Sequence, residues 1–177
     1  MGVASDLRDY IRDVPDFPRP GIVFKDATPL LLDAGALRRA VEALAEHAAD
    51  RDVALVVAAE ARGFVLGGAL AERIGAGFIP ARKPGKLPAE VSAVEYALEY
   101  GVDALEVHRD ALSDGARVLV HDDLLATGGT ARALCDLVQG AGARIVGCSF
   151  LVELGFLGGR ERLRPHEVHS LVRYEDA

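Results

Sequence analysis

Residues 117–130 read Arg117-Val-Leu-Val-His-Asp-Asp-Leu-Leu-Ala-Thr-Gly-Gly-Thr130. An apolar run of strand length, 117–121, delivers two adjacent carboxylates, Asp122 and Asp123, to its carboxyl end. A turn of Ala126, Thr127, Gly128, Gly129 and Thr130 follows, and an amphipathic helix is expected over 130–139, with Ala131, Leu134, Cys135 and Val138 inward. Glycines let the backbone approach a ligand closely and let several N–H groups converge on one anion. The helix N-terminus adds partial positive charge, which suits a phosphate monoester, and Thr127 and Thr130 can donate hydroxyl hydrogen bonds to the same oxygens. Two acids beside an anion pocket are compatible if they face hydroxyl groups or a ligand-borne metal. A phosphorylated sugar satisfies both halves, with phosphate in the turn and ribose hydroxyls on the acids. The plain alternative is an ordinary strand–turn–helix connection. Neither G-x-x-x-x-G-K-[ST] nor G-x-G-x-x-G occurs.

Outward from this segment the pattern alternates. Further strands are expected at 53–58, 77–81, 145–153 and 168–174, with helices at 35–49 and 64–74. Gly140 and Gly142 end the helix after the turn. A short amphipathic stretch, 4–14, is broken by Pro15, Pro18 and Pro20. Such alternation implies an α/β fold with a central, mainly parallel sheet flanked by helices, joined by right-handed crossovers. Ligands of such sheets sit at the carboxyl ends of the strands, here the turns after Ala58, Ala81 and His121. The charged segment 82–108 is long for a simple connection and reads as an irregular lid or binding loop.

The chain has 177 residues, half of them hydrophobic, which fits one domain with a sizeable core. Its net charge of −7 argues against bulk nucleic-acid binding. No apolar run approaches the ~20 residues of a membrane-spanning helix, and the charged first twelve residues lack a signal-peptide core. Cys135 and Cys148 form no CxxC pair, so neither a disulfide framework nor a structural zinc site is expected. His166-x-x-His169 has no partner pattern for a metal. These features point to a cytoplasmic, single-domain protein with no protein-held metal.

The 117–130 segment resembles the phosphoribosyl-diphosphate (PRPP) motif of type I phosphoribosyltransferases. Four further stretches narrow the resemblance to the adenine phosphoribosyltransferases: Phe17-Pro-Arg-Pro-Gly-Ile-Val-Phe-Lys-Asp26, Glu60-Ala-Arg-Gly-Phe64, Arg82-Lys-Pro-Gly-Lys-Leu-Pro88 and Tyr96-Ala-Leu-Glu-Tyr-Gly101. Similarity runs from about residue 16 to 174. The resemblance implies a small N-terminal hood over about 1–34, a flexible catalytic loop over about 82–108, and a homodimer. It also implies Mg2+ carried by PRPP and a cis peptide near Glu60–Ala61. The reaction it implies is adenine plus PRPP giving AMP and diphosphate.

Arg82, Lys83 and Lys86 put three cations into five residues of an acidic chain. They are either a solvated loop or, beside a phosphate turn, a seat for the diphosphate leaving group. Arg62, at the carboxyl end of its strand, can reach the same group or make a surface ion pair. Phe24 is either core or a stacking face for a purine; the resemblance favours the latter, with backbone groups of Val23 and Lys25 reading the base. Glu99 is the candidate acid–base, and the resemblance gives Tyr100 a covering role; otherwise Glu99 is one of several solvated acids. His121, Ala58 and Ala59 depart from the family's usual residues. His121 is expected to be accommodated by a hydrogen bond, and the two alanines bear on the backbone of the diphosphate loop. Two rival readings are a PRPP-sensing regulator without catalysis, for which no partner-binding domain is visible, and transfer to another purine.

Overall fold

The computed structural model describes residues 3–97 and 102–176. Five parallel strands form the central sheet: β3 (Leu55–Ala59), β4 (Gly77–Ala81), β7 (Arg117–Leu125), β8 (Arg144–Leu154) and β9 (Val168–Tyr174), in the order β4-β3-β7-β8-β9. The helices are α1 (Val3–Arg8), α2 (Thr28–Leu32), α3 (Ala34–Ala48), α4 (Gly63–Ile74), α5 (Gly129–Gly140) and α6 (Gly159–Arg162). From β3 the chain steps to β4 on one side and later to β7 on the other, so the order reverses between β3 and β7. At such a switch point the connecting segments diverge and leave a crevice beyond the strand ends.

Strand alternation distributes the core between two faces. Val57, Ala59, Val118, Val120, Cys148 and Phe150 pack with Leu134, Leu137 and Val138 of α5. Val56 and Leu119 pack with Leu44 and Ala48 of α3 and Leu70 of α4. The Asp33 carboxylate caps α3 by accepting from the Ala36 N–H at 2.7 Å. Gly75, with φ of 71°, ends α4.

Three features differ from the sequence reading. Residues 4–14 do not form one amphipathic stretch: α1 stops at Arg8, and β1 (Arg12–Pro15) pairs antiparallel with β2 (Val23–Asp26). β7 runs four residues past His121, because β8 offers a ladder partner as far as Leu125↔Glu153. Most of 82–108 is not irregular: β5 (Val91–Ala97) and β6 (Val102–His108) form an antiparallel hairpin. Leu105 and Val107 are buried in the α5-side core, with Val94 and Tyr96 packed against it. The intervening charges sit at alternate positions, which is the signature of a strand with one buried face.

His121 is fully buried, with Nδ1 3.0 Å from the Ser149 hydroxyl, as expected of an accommodated histidine. Burial pushes its pKa down to about 4. A folded-state pKa below the ordinary 6.5 means stability that is complete above pH 6.5 and lost as pH falls towards 4. His47, lowered to about 4 by burial, His169 and Arg51, acts in the same window. In denaturant titrations between pH 7 and 4, His121→Leu is expected to remove about 1–3 kcal/mol of the pH dependence. An unchanged slope would exclude this source.

Candidate active site

A cleft of about 570 Å³ opens at the switch point between β3 and β7. Its floor is the end of β7. Asp122 and Asp123 are half-buried there, and the Asp122 Oδ1 accepts the Asp123 N–H at 2.9 Å. Burial and the neighbouring Asp123 charge hold the Asp122 carboxyl well above the usual range. Burial also raises Asp123, against the pull of Arg62, whose Nε lies 2.9 Å from the Asp123 Oδ2. Negative charge at this point is therefore under-compensated, which suits hydroxyl donors or a hard cation. A side chain at Gly63 would meet Asp122 Oδ1 at 2.6 Å, so the first residue of α4 has room only for hydrogen.

Ala126, Thr127, Gly128, Gly129 and Thr130 line the adjoining wall. Gly128 adopts φ of 82° and ψ of 5°, which turns the chain from β7 into α5. No side chain caps this helix, so its first N–H groups remain directed at the turn. Such a turn can hold a phosphate.

The cations of the cleft are matched with acids. Arg82 places Nε and Nη2 at 3.2 and 3.1 Å from Glu60 Oε2, and the Lys83 N–H donates to Glu60 Oε1. Lys83 Nζ is 3.1 Å from Asp103 Oδ2, which also accepts from the Tyr96 hydroxyl at 3.3 Å. Arg62 and Lys83 line the cleft; Arg82 and Lys86 stand outside its lining, with the Lys86 carbonyl accepting from Arg82 at 3.2 Å. Phe24 reaches the site through Arg62, whose guanidinium carbon lies 5.0 Å from the ring centroid, while Phe17 meets Phe24 edge-on. Val23 is exposed, and the Lys25 side chain turns away to Asp13 at 2.7 Å and the Tyr174 ring. This leaves only the Lys25 backbone for a base. Glu99 and Tyr100 lie outside the described residues. The Glu60–Ala61 peptide is cis, as the resemblance implies.

Sequence reasoning missed Glu60 as a partner for Arg82 and Lys83, Asp103 and Tyr96 on the hairpin, and Gly159, whose backbone abuts the glycine turn. Glu60 stood inside a quoted motif, and period-2 alternation would have flagged Tyr96 and Asp103. Gly159 carries no local signal. Among the described residues no group of three or more His, Cys, Asp or Glu side chains forms a metal site. Two carboxylates with substrate phosphates are the usual arrangement for Mg2+, and Asp122 and Asp123 supply such a pair.

A family model described as phosphoribosyl transferase domain matches residues 30–171. The chain is 58% identical to a Rubrobacter xylanophilus protein named adenine phosphoribosyltransferase, over 96% of this chain and 92% of that one. The crystal structure of adenine phosphoribosyltransferase from Thermoanaerobacter pseudethanolicus superposes with a TM-score of 0.94 at 49% identity, covering 97% and 99% of the two chains. The Giardia lamblia enzyme complexed with 9-deazaadenine gives 0.92 at 37% identity, covering 99% of each chain.

Proposed function

The chain belongs to the phosphoribosyl transferase domain family, and from that premise we infer that it is an adenine phosphoribosyltransferase. It transfers the 5-phosphoribosyl group of PRPP to adenine, giving AMP and diphosphate in purine salvage. The observation that carries this reading is the acid pair near the carboxyl end of β7, separated only by Leu124 and Leu125 from an uncapped glycine–threonine turn at the switch point.

In our assignment the 5′-phosphate sits on Ala126, Thr127, Gly128, Gly129 and Thr130, and Asp122 and Asp123 take the ribose hydroxyls. Arg62 and Lys83, with Arg82 and Lys86 from the same loop, receive the diphosphate, Arg62, Lys83 and Arg82 exchanging their acid partners for phosphate oxygens. Adenine lies against Phe24, read by backbone groups of Val23 and Lys25. The base nitrogen bonds to the anomeric carbon as the carbon–oxygen bond to diphosphate breaks, and the proton shed by the purine passes to the Glu99 carboxylate. Tyr100 helps to cover the site. Mg2+ bound with PRPP, near Asp122 and Asp123, would neutralise charge on the leaving diphosphate. We further assign the chain as a cytoplasmic homodimer; the exposed Leu32 and Val65 offer apolar surface for a second copy.

The deciding assay supplies PRPP, Mg2+ and each purine in turn and follows the nucleotide formed. AMP from adenine is expected, and a folded protein that makes none would reject the assignment. Asp122→Asn and Asp123→Asn are each expected to raise the Kd for PRPP by about 10-fold, the scale of one charge-assisted hydrogen bond. Unchanged affinity in both variants would remove the ribose role.

A further inference from the structure

A backbone segment from about thirty residues later in the chain packs against the glycine turn. A Cβ on Gly159, the first residue of α6, would collide with the Ala126 carbonyl oxygen and stand 3.0 Å from the Gly128 nitrogen. A Cβ on Gly128 would stand 2.6 Å from the Gly159 carbonyl oxygen. Two backbones meet there with no side chain between them.

The next residue holds this contact in place. Arg160 donates from Nε to Glu153 Oε1 at 3.0 Å, from Nη2 to Glu153 Oε2 at 2.5 Å, and from Nη1 to the Val168 carbonyl at 2.6 Å. Glu153 is 2% exposed and also accepts from the Ser170 hydroxyl at 2.7 Å, while Arg173 Nε lies 3.7 Å from its other oxygen. Burial alone would lift the Glu153 carboxyl, but the hydrogen bonds from Arg160 and Ser170 hold it below the ordinary range. In the sheet Glu153 pairs with Leu125, the last residue of β7 before the turn. A closed circuit results: Leu125 to Glu153 across the ladder, Glu153 to Arg160 through the ionic fork, and Gly159 back onto Ala126 and Gly128. A bidentate fork fixes direction as well as distance, which an apolar contact does not. Neither Glu153 nor Arg160 lines the cleft.

We propose that Glu153 and Arg160 are positioning residues for the phosphate turn: their fork seats Gly159 against Ala126 and Gly128, so that residues 126–130 are preformed when PRPP arrives. The inference rests on the assignment of those residues to the 5′-phosphate. Its test compares kcat, both KM values, thermal midpoints and the Kd for ribose 5-phosphate in Glu153→Gln, Arg160→Lys, Gly159→Ala and Thr127→Ala. For Glu153→Gln and Arg160→Lys, KM for PRPP and Kd for ribose 5-phosphate rise about 10-fold and KM for adenine stays within about two-fold, as displacement of one subsite requires. Gly159→Ala, which drives a methyl group into the turn, raises the same two constants by about 100-fold. If Glu153→Gln does not fold, Arg160→Lys carries the test, since it keeps the charge while losing the fork and the Val168 bond that runs with it. Folded variants with unchanged ribose 5-phosphate affinity, or with all constants shifted equally beside a lowered midpoint, overturn the positioning role. Weaker binding in Thr127→Ala alone overturns the clamp and leaves the phosphate assignment standing; unchanged binding in every variant overturns both.

Discussion

Glu99→Gln lowers kcat by about 100- to 1,000-fold and leaves the Kd for PRPP within about two-fold, the range for loss of one general acid–base group. Glutamine keeps the shape of the side chain and can still donate or accept a hydrogen bond, but it cannot take a proton. As the purine nitrogen attacks the anomeric carbon, positive charge develops on both sugar and base, and a carboxylate in reach relieves it only in the transition state. PRPP, held in this assignment by the turn, the acid pair and the cations, does not need that group to bind. The measurement is steady-state turnover with adenine beside a titration of PRPP alone. Equal loss of both would make Glu99 a binding residue. Glu99→Asp, which keeps the charge on a shorter stem, is expected to recover part of the rate.

The second large effect is Gly128→Ala. At φ of 82° an L-residue is strained by roughly 1–2 kcal/mol, and here the added Cβ also stands 2.6 Å from the Gly159 carbonyl oxygen. Neither backbone can give way cheaply: Gly128 is the N-cap of α5, and Gly159 is tied through Arg160 to a buried acid. The turn must therefore shift, and a displacement near 1 Å raises KM for PRPP by about 100-fold. KM for adenine changes little, because Phe24 stands on a different element. A variant that folds and keeps its KM for PRPP would show that residues 126–130 do not grip the phosphate.

Much of the site is legible before any coordinate is seen. Asp122, Asp123 and the glycine–threonine turn announce themselves because their chemistry is local: a strand, two acids and a helix start follow one another within fourteen residues. The parallel strands also declare themselves, being short apolar runs spaced by helical periodicity. The charged hairpin β5–β6 is different. Its inner residues, Val94, Tyr96, Leu105 and Val107, point to a core that exists only once α5 has packed, so local charge density outweighed the alternation. The cations show a similar division. That Arg62, Arg82 and Lys83 are candidates for an anion follows from their segments; that they are held by Asp123, Glu60 and Asp103 respectively does not.

The amino-acid order alone accounts for the alternating architecture, the glycine–threonine turn and the family, because each depends on residues that are neighbours in the chain. Tertiary structure decided the strand order that opens the cleft between β3 and β7, and it matched cations to acids. It also brought Gly159 onto Gly128 through the Glu153–Arg160 fork. Those contacts join residues tens of positions apart, and their energies come from burial and from directed hydrogen bonds that form only when the sheet has assembled.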